Sequence, residues 1–155
     1  MTTTSRPPAR SLAQRLEDTR RRLDEDVDAW VATAAGDIPY LAPLSFLWDG
    51  ETFLVATAEA GRTGRNLAAT GKVRLGIGLV RDVVLVEGTV EALAREDIPG
   101  DLGDRFAAKT GFDPRGETSR FGYFRIRPRR IQAWREANEL DGRDVMRDGA
   151  WLTPG

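Results

Sequence analysis

The chain has 155 residues, 41% of them hydrophobic, which suits one compact domain with its own core and is short for two. Its 23 basic and 24 acidic residues leave a net charge of -1, so no global field recruits nucleic acid or an anionic membrane, and any anion site must be local. Cysteine and histidine are absent, which removes disulfides, thiolate catalysis, sulfur-ligated metals and the commonest zinc ligand and general base.

Residues 1–10 read as a disordered tail without an apolar run of secretory length, and no later window reaches ~18 consecutive apolar residues, so a cytoplasmic protein is expected. From Ser11, an N-cap type, apolar residues recur at Leu12, Leu16, Leu23, Val27, Trp30 and Val31. This spacing predicts an amphipathic helix of about 24 residues with a solvated charged face, stopped at Gly36. The period then shortens. Residues 38–48 and 51–58 flank Asp49-Gly50, which predicts a hairpin with a type I′ turn, and Pro39 and Pro43 place its first strand at an edge or give it a bulge. Residues 65–70 read as a short helix closed by Gly71.

A second hairpin is expected from residues 72–80 and 83–93 around Arg81-Asp82. Gly76 and Gly78 fit a strongly coiled strand or one closely approached by another group. Residues 95–111 suggest a helix interrupted at Pro99-Gly100, and residues 112–119 a polar loop. A long strand follows over 121–134, kinked at Pro128, then a last short strand ending at Trp151. Six or so antiparallel strands with helices outside them predict a mainly β fold, a small closed or half-closed barrel, in a single domain spanning 11–155.

Three stretches could carry chemistry. The loop 59–64 joins a strand to a short helix; Gly61 and Gly64 let the backbone approach a ligand, and Arg62 and Arg65 flank a helix start that already favours an anion. It is a phosphate cradle or a solvated loop with two ordinary arginines. In Pro128-x-Arg130-Ile131-x-x-Trp134, Ile131 and Trp134 are three apart and so face opposite sides of an extended strand. Either Trp134 leaves the core for another flat surface or a partner subunit, or the strand bulges after Pro128 and Trp134 is buried. Third, Arg120, Arg125, Arg127, Arg129, Arg130 and Arg135 interleave with aromatics, as in some single-strand nucleic-acid binders, but a charged outer strand face explains them and no nucleic-acid partner is expected. No triad or acid–base pair can be assembled; Glu87 and Glu136 are conceivable but nothing singles them out. A redox cofactor would bring its own reactivity.

These motifs resemble the FMN-binding split barrels of the pyridoxamine 5'-phosphate oxidase-like family. The resemblance runs from about 38 to 151 and is strongest at 57–67, at Val84-x-Val86-Glu87-Gly88, and at Pro128-x-Arg130-Ile131-x-x-Trp134 followed by Gly142-Arg143 and Arg147. It implies a six-stranded antiparallel split β-barrel with flanking helices. It also implies a flavin phosphate on Thr57, Arg62 and Arg65 with Asn66 nearby, and Leu44, Ser45 and Ala56 against the ring. In such proteins a late Trp and Arg reach the ring from the other subunit, which assigns Trp134 and Arg143 to that role in a homodimer. The implied activity is FMN-dependent oxidoreduction of a small-molecule substrate, with deazaflavin F420 as the alternative cofactor. A non-catalytic flavin-binding or interaction protein is the reading from another class. The pattern also departs from the true oxidase. Arg62 is followed by Thr63 where two adjacent basic residues are expected, Val83 replaces a ring-contacting Gln, and Glu139 and Asp141 stand where Arg and His would hold a substrate phosphate.

Overall fold

A computed structural model describes residues 6–155. Its elements in chain order are α1 (Leu12–Glu25), β1 (Asp28–Ala35), β2 (Ile38–Trp48), β3 (Phe53–Ala58), α2 (Arg62–Thr70), β4 (Lys72–Leu79), β5 (Asp82–Leu93), α3 (Gly100–Thr110), β6 (Phe121–Trp134), β7 (Asp144–Arg147) and β8 (Ala150–Trp151). Every strand pairing is antiparallel. Pairing of β3 with β6 closes the ring β1-β4-β5-β6-β3-β2, and the β7–β8 hairpin hangs from the free side of β6. The expected six-stranded antiparallel barrel with flanking helices is present.

Strict alternation builds the interior. Val31, Phe46, Phe53, Val55, Leu75, Ile77, Val86, Ile126 and Ile131 point inward and are almost fully buried. Where strands are covered on both faces the sequence loses its alternation and reads as apolar runs such as Phe46-Leu47-Trp48 and Phe53-Leu54-Val55. There the outward residues Leu47, Leu54 and Tyr123 form a second cluster with Ile98, Leu102 and Phe106 of the α3 region. The two other helices close the barrel ends. Leu16 and Leu23 of α1 and Leu67 of α2 enter the main core. Arg22 of α1 pairs with Asp82 at the β4–β5 tip, 3.0 Å, whereas Asn66 of α2 donates to Thr33 Oγ1 near the other end of β1, 3.1 Å.

The expected 24-residue helix is 14 residues long. Ser11 caps it as expected, accepting from Gln14 N–H, but the chain turns extended at Asp26 and residues 28–35 form β1. Val27, Trp30 and Val31 therefore do not continue the helical face. In β1 the residues Ala29, Val31 and Thr33 face inward while Trp30 stands exposed, and Gly36 (φ 59°) makes the β1–β2 turn. A β-branched and aromatic segment given two neighbouring strands is worth more as a strand, whatever its local period.

Other boundaries shift less. The β2–β3 hairpin exists, but its turn spans residues 49–52, and only Gly50 has positive φ (100°). The Asp49 carboxylate accepts from Glu51 N–H, Thr52 N–H and the Thr52 hydroxyl, an Asx-type turn that replaces the two-residue geometry. Helix α2 begins at Arg62, three residues early, and ends at Gly71 in the left-handed conformation as expected. The β4–β5 turn is Val80-Arg81, since Leu79 pairs with Asp82. Helix α3 starts only after Pro99, and β7 is an additional strand. Gly78 (φ 95°) makes room for the Arg22 guanidinium, the close approach that its position suggested.

At Pro128 the long strand kinks by a bulge. Gly88 pairs with Pro128 but Glu87 with Arg130, leaving Arg129 unopposed. The ladders close tightly at this point, because a Cβ on Gly88 would lie 2.7 Å from Ile126 Cγ2 and 2.9 Å from Arg127 O. Gly88→Ala should therefore cost roughly 1–3 kcal/mol by overpacking. Urea unfolding should show a lower midpoint at an unchanged slope; an unchanged midpoint would mean that the bulge yields freely.

Candidate functional site

Strand β3 ends in Ala56, Thr57 and Ala58, which pair with Tyr123, Gly122 and Phe121 of β6. The chain then turns, Gly61 N–H donating to Ala58 O at 3.1 Å, and α2 starts on top of that turn. Gly64 sits so close that a Cβ there would overlap Ala58 O, which explains the glycine. No side chain caps the N-terminus of α2 at Gly61. The first-turn N–H groups thus keep their partial positive charge for an incoming acceptor.

Arg62 and Arg65, three apart and so on one face of α2, are both exposed. Among the described residues, neither forms an ion pair or a side-chain hydrogen bond; Arg62 instead lies over the Tyr40 ring, 5.4 Å from its centroid. Glu59, the acid of the loop, turns away to Arg120 at 2.7 Å. The bend is cationic and unsealed.

Next to it β2 offers a free backbone edge. Pairing with β3 covers only Phe46, Leu47 and Trp48, while β1 pairs along the whole segment from Ile38 to Ser45. Phe46 donates its N–H to Val27 O, so even-numbered N–H groups of β2 face β1 and odd-numbered ones face outward. Pro39 and Pro43 remove two of these outward donors without breaking a ladder, the edge placement expected of them. Leu41 and Ser45 N–H remain. The Ser45 hydroxyl donates to Asp28 at 2.7 Å, so what Ser45 can give a ligand is its backbone.

The remaining expected residues fall in different places. Leu44 packs against the main core, and Ala56 against the α3 cluster. Thr57, half-buried, lies at the β3 end beside the bend. Asn66 is buried and its amide is engaged by Thr33, so it anchors α2. Tyr40 and Arg120 were missed by sequence reasoning. An aromatic between two edge prolines is a faint signal for the first, and a pairing 61 residues apart leaves none for the second.

Trp134 and Arg143 lie at the end of β6 opposite the bend. Trp134 is half-buried on the outside of the barrel opposite Val83, and the Arg143 guanidinium sits 5.7 Å from its ring centroid. The strand bulges and Trp134 also leaves the core, since Ile131 and Ala133 take the inward positions. Twelve residues separate Trp134 from Gly122, the partner of Thr57, or about 40 Å along the strand.

The loop between Trp134 and Arg143 is held from the segment just before α1. Glu139, almost fully buried, accepts from Arg10 N–H (2.8 Å), Arg10 Nε (3.0 Å), Arg10 Nη2 (2.8 Å) and Arg135 N–H (2.8 Å). Arg10 belongs to the segment expected as a tail, of which residues 1–5 lie outside the described residues. The basic stretch is partly neutralised: Arg120 pairs with Glu59, Arg130 with Asp144, and Arg135 with Asp18 and Asp82. Glu87 pairs with Arg74 and Glu136 with Arg81. Among the described residues, no helix is long and apolar enough to cross a membrane, and no acidic cluster could hold a metal.

A closed antiparallel barrel with a cationic helix start beside an open strand edge defines the split-barrel class. The family model for pyridoxamine 5'-phosphate oxidase matches residues 17–135, and the chain belongs to that family. No curated protein matches it. Among solved structures, an F420 reductase superposes with a TM-score of 0.60 at 18% identity, covering 72% of this chain and 94% of the other. A FAD-binding protein from Mesorhizobium loti gives 0.60 at 19% identity, covering 74% and 88%. General stress protein 26 from Bacillus anthracis gives 0.57 at 17%, covering 77% and 92%. At these identities the likeness is one of fold.

The Arg10 guanidinium, as the main cause, holds the Glu139 carboxyl at about 2 against its ordinary 4.5. A depressed acid stabilises the fold fully above its unfolded value and loses that contribution as pH falls toward the folded one. The stability gap between wild type and Glu139→Gln, on the order of 3 kcal/mol near neutral pH, should therefore close between about pH 4.5 and 2. Urea titrations across that range check it; a gap independent of pH would remove the charge from the explanation.

Proposed function

We propose that the chain is an FMN-dependent oxidoreductase acting as a homodimer on a small organic substrate. The observation that carries this reading is the pair of arginines, neither in an ion pair among the described residues, on an uncapped helix start, with the local acid drawn off to Arg120. A phosphate monoester fits there: guanidinium forks and helix N–H groups supply donors, and Thr57 adds a hydroxyl nearby. The free β2 edge, with Leu41 and Ser45 N–H, suits the polar rim of a flat heterocycle. When bound, FMN would supply the hydride chemistry, and the chain would orient the ring, neutralise its phosphate and exclude water.

The position of Trp134 and Arg143 supports the dimer reading. Pro43, Trp30, Gly76, Leu85 and Gln132 form one outward row across β2, β1, β4, β5 and β6. Two residues along each strand, Ser45 and Asp28 stand at one end of the next row and Gly78, Val83 and Trp134 at the other. Four strand spacings separate Ser45 from Trp134, about 19 Å measured along the curved sheet. A twofold axis running along β4 in the plane of this face would bring the partner's Trp134 over Ser45, and would cover the exposed Trp30 and Leu41. Trp134 and Arg143 would then close the ring site of the other subunit.

The substrate is not the phosphorylated B6 amine in this reading, because Glu139 is buried beneath Arg10 and Asp141 is an acid where a phosphate would need cations. A second reading replaces FMN with the longer, more acidic deazaflavin F420. It is favoured by a cleft of about 650 Å³ beyond the C-terminal end of α2, lined by Lys72, Arg129 and the Arg74–Glu87 pair, a modest excess of positive charge.

Arg62→Ala should weaken FMN binding by roughly 1.5–3 kcal/mol and leave the unfolding midpoint in place. Unchanged affinity in a fluorescence titration would discard the cradle, and the mass of any molecule released from purified protein separates FMN from deazaflavin. The trans arrangement has its own test. Arg62→Ala and Trp134→Ala chains, each defective alone, should regain about one normal site in four when co-refolded, because half the dimers are mixed and each carries one intact site. A mixture that binds no better than its parents would exclude sites shared between subunits.

A further inference from the structure

Arg15 is an arginine only 3% exposed, sitting in the second turn of α1. A buried guanidinium is costly unless its hydrogens are satisfied, and Arg15 Nε finds no partner among the described residues. Burial lowers its pKa, with Glu139 opposing that shift. Its Nη1, by contrast, meets three backbone carbonyls: Ala133 O at 3.1 Å, Glu139 O at 3.1 Å and Gly142 O at 3.0 Å. Two of these belong to the residues immediately before Trp134 and Arg143. The third lies in the turn between them. The loop is also tied at its neck, Ala133 N–H donating to Arg143 O at 2.9 Å.

An apolar plug of the same size would fill this space but leave three inward carbonyls unpaired. A single nitrogen drawing them together fixes the spacing of the two peptide units from which the Trp134 and Arg143 side chains project. No other side chain among the described residues bonds to both units.

We propose that Arg15 is a positioning residue for the stacked Trp134 and Arg143 pair, setting the geometry in which the pair meets the cofactor of the neighbouring subunit. This rests on the cross-subunit reading given above. Arg15 acts through the loop and touches neither cofactor nor substrate. Because the three acceptors converge on one nitrogen, an ammonium can substitute for the guanidinium.

The test compares Arg15→Met with Arg15→Lys, using FMN as the probe. Two quantities are read: FMN affinity, and the near-ultraviolet circular dichroism of the apoprotein assigned to Trp134 by subtracting a Trp134→Phe spectrum. Arg15→Met should lose the Trp134 signal and bind FMN about tenfold more weakly, while Arg15→Lys keeps the signal and binds within about threefold of wild type. Should the methionine variant not fold, Arg15→Gln is read by the same two measures. A folded Arg15→Met with an intact Trp134 signal overturns the inference, as does unchanged FMN affinity. Trp134→Ala, titrated beside it, tells the failures apart. If Trp134→Ala binds poorly and Arg15→Met normally, only the positioning role falls; if both bind normally, the cross-subunit ring contact falls with it.

Discussion

The parting of β2 from β3 governs the rest of the molecule. The two strands pair over three residues and then separate, β3 staying with β6 while β2 stays with β1. A barrel that closes this way leaves one strand with an unpaired backbone edge beside the end of another, and the gap must be filled. Helix α2 caps the barrel end here, touching β1, β5, β2 and β3, buried through Leu67 and locked to Thr33 of β1 by Asn66. Its N-terminus consequently points to solvent at the mouth of the gap. Edge donors and helix donors are thereby brought together by chain geometry before any side chain is chosen, and Pro39 and Pro43 keep the edge from pairing with a stray strand.

Electrostatics then select what the mouth can hold. The chain as a whole is almost neutral, so a local anion site needs acids to be moved away as much as bases to be supplied. Glu59 is drawn to Arg120, and the same segment ties its backbone back, Glu59 N–H donating to Arg120 O at 3.1 Å. At the opposite end of the barrel the bases are consumed instead, in a mesh of Arg10, Arg22 and Arg135 with Asp18, Asp82 and Glu139. Such a mesh rigidifies; it does not attract.

Much of this was legible in the residues, and the illegible parts share a cause. The hairpins, the Pro128 kink and the closure of α2 at Gly71 depend on neighbours in sequence, and each has a local signature in proline, glycine or period, whereas the residues alone left Trp134 open between burial and the outer face. Residues 27–31 misled because Val27, Trp30 and Val31 satisfy a helical spacing as well as a strand, and only pairing with β2 and β4 decides between them. The release of Arg62 and Arg65 by Arg120, and the socket around Arg15, join residues 61 and more than 100 positions apart. No local pattern carries such information.

The separation of Trp134 from the bend at residues 59–64 is itself a consequence of the closed barrel. A 14-residue strand that passes the bend at one end must deliver Trp134 at the other, and the bulge at Arg129 sets which face that side chain takes. Without the extra residue the register would slip by one, Ile131 would turn outward and Trp134 inward. The bulge therefore turns the Trp134 side chain to the outer face of the sheet, the face on which Ser45 also lies. In the proposed dimer, a twofold operation on that face would join the two positions twice, and the single unopposed residue at Arg129 is what turns Trp134 toward it.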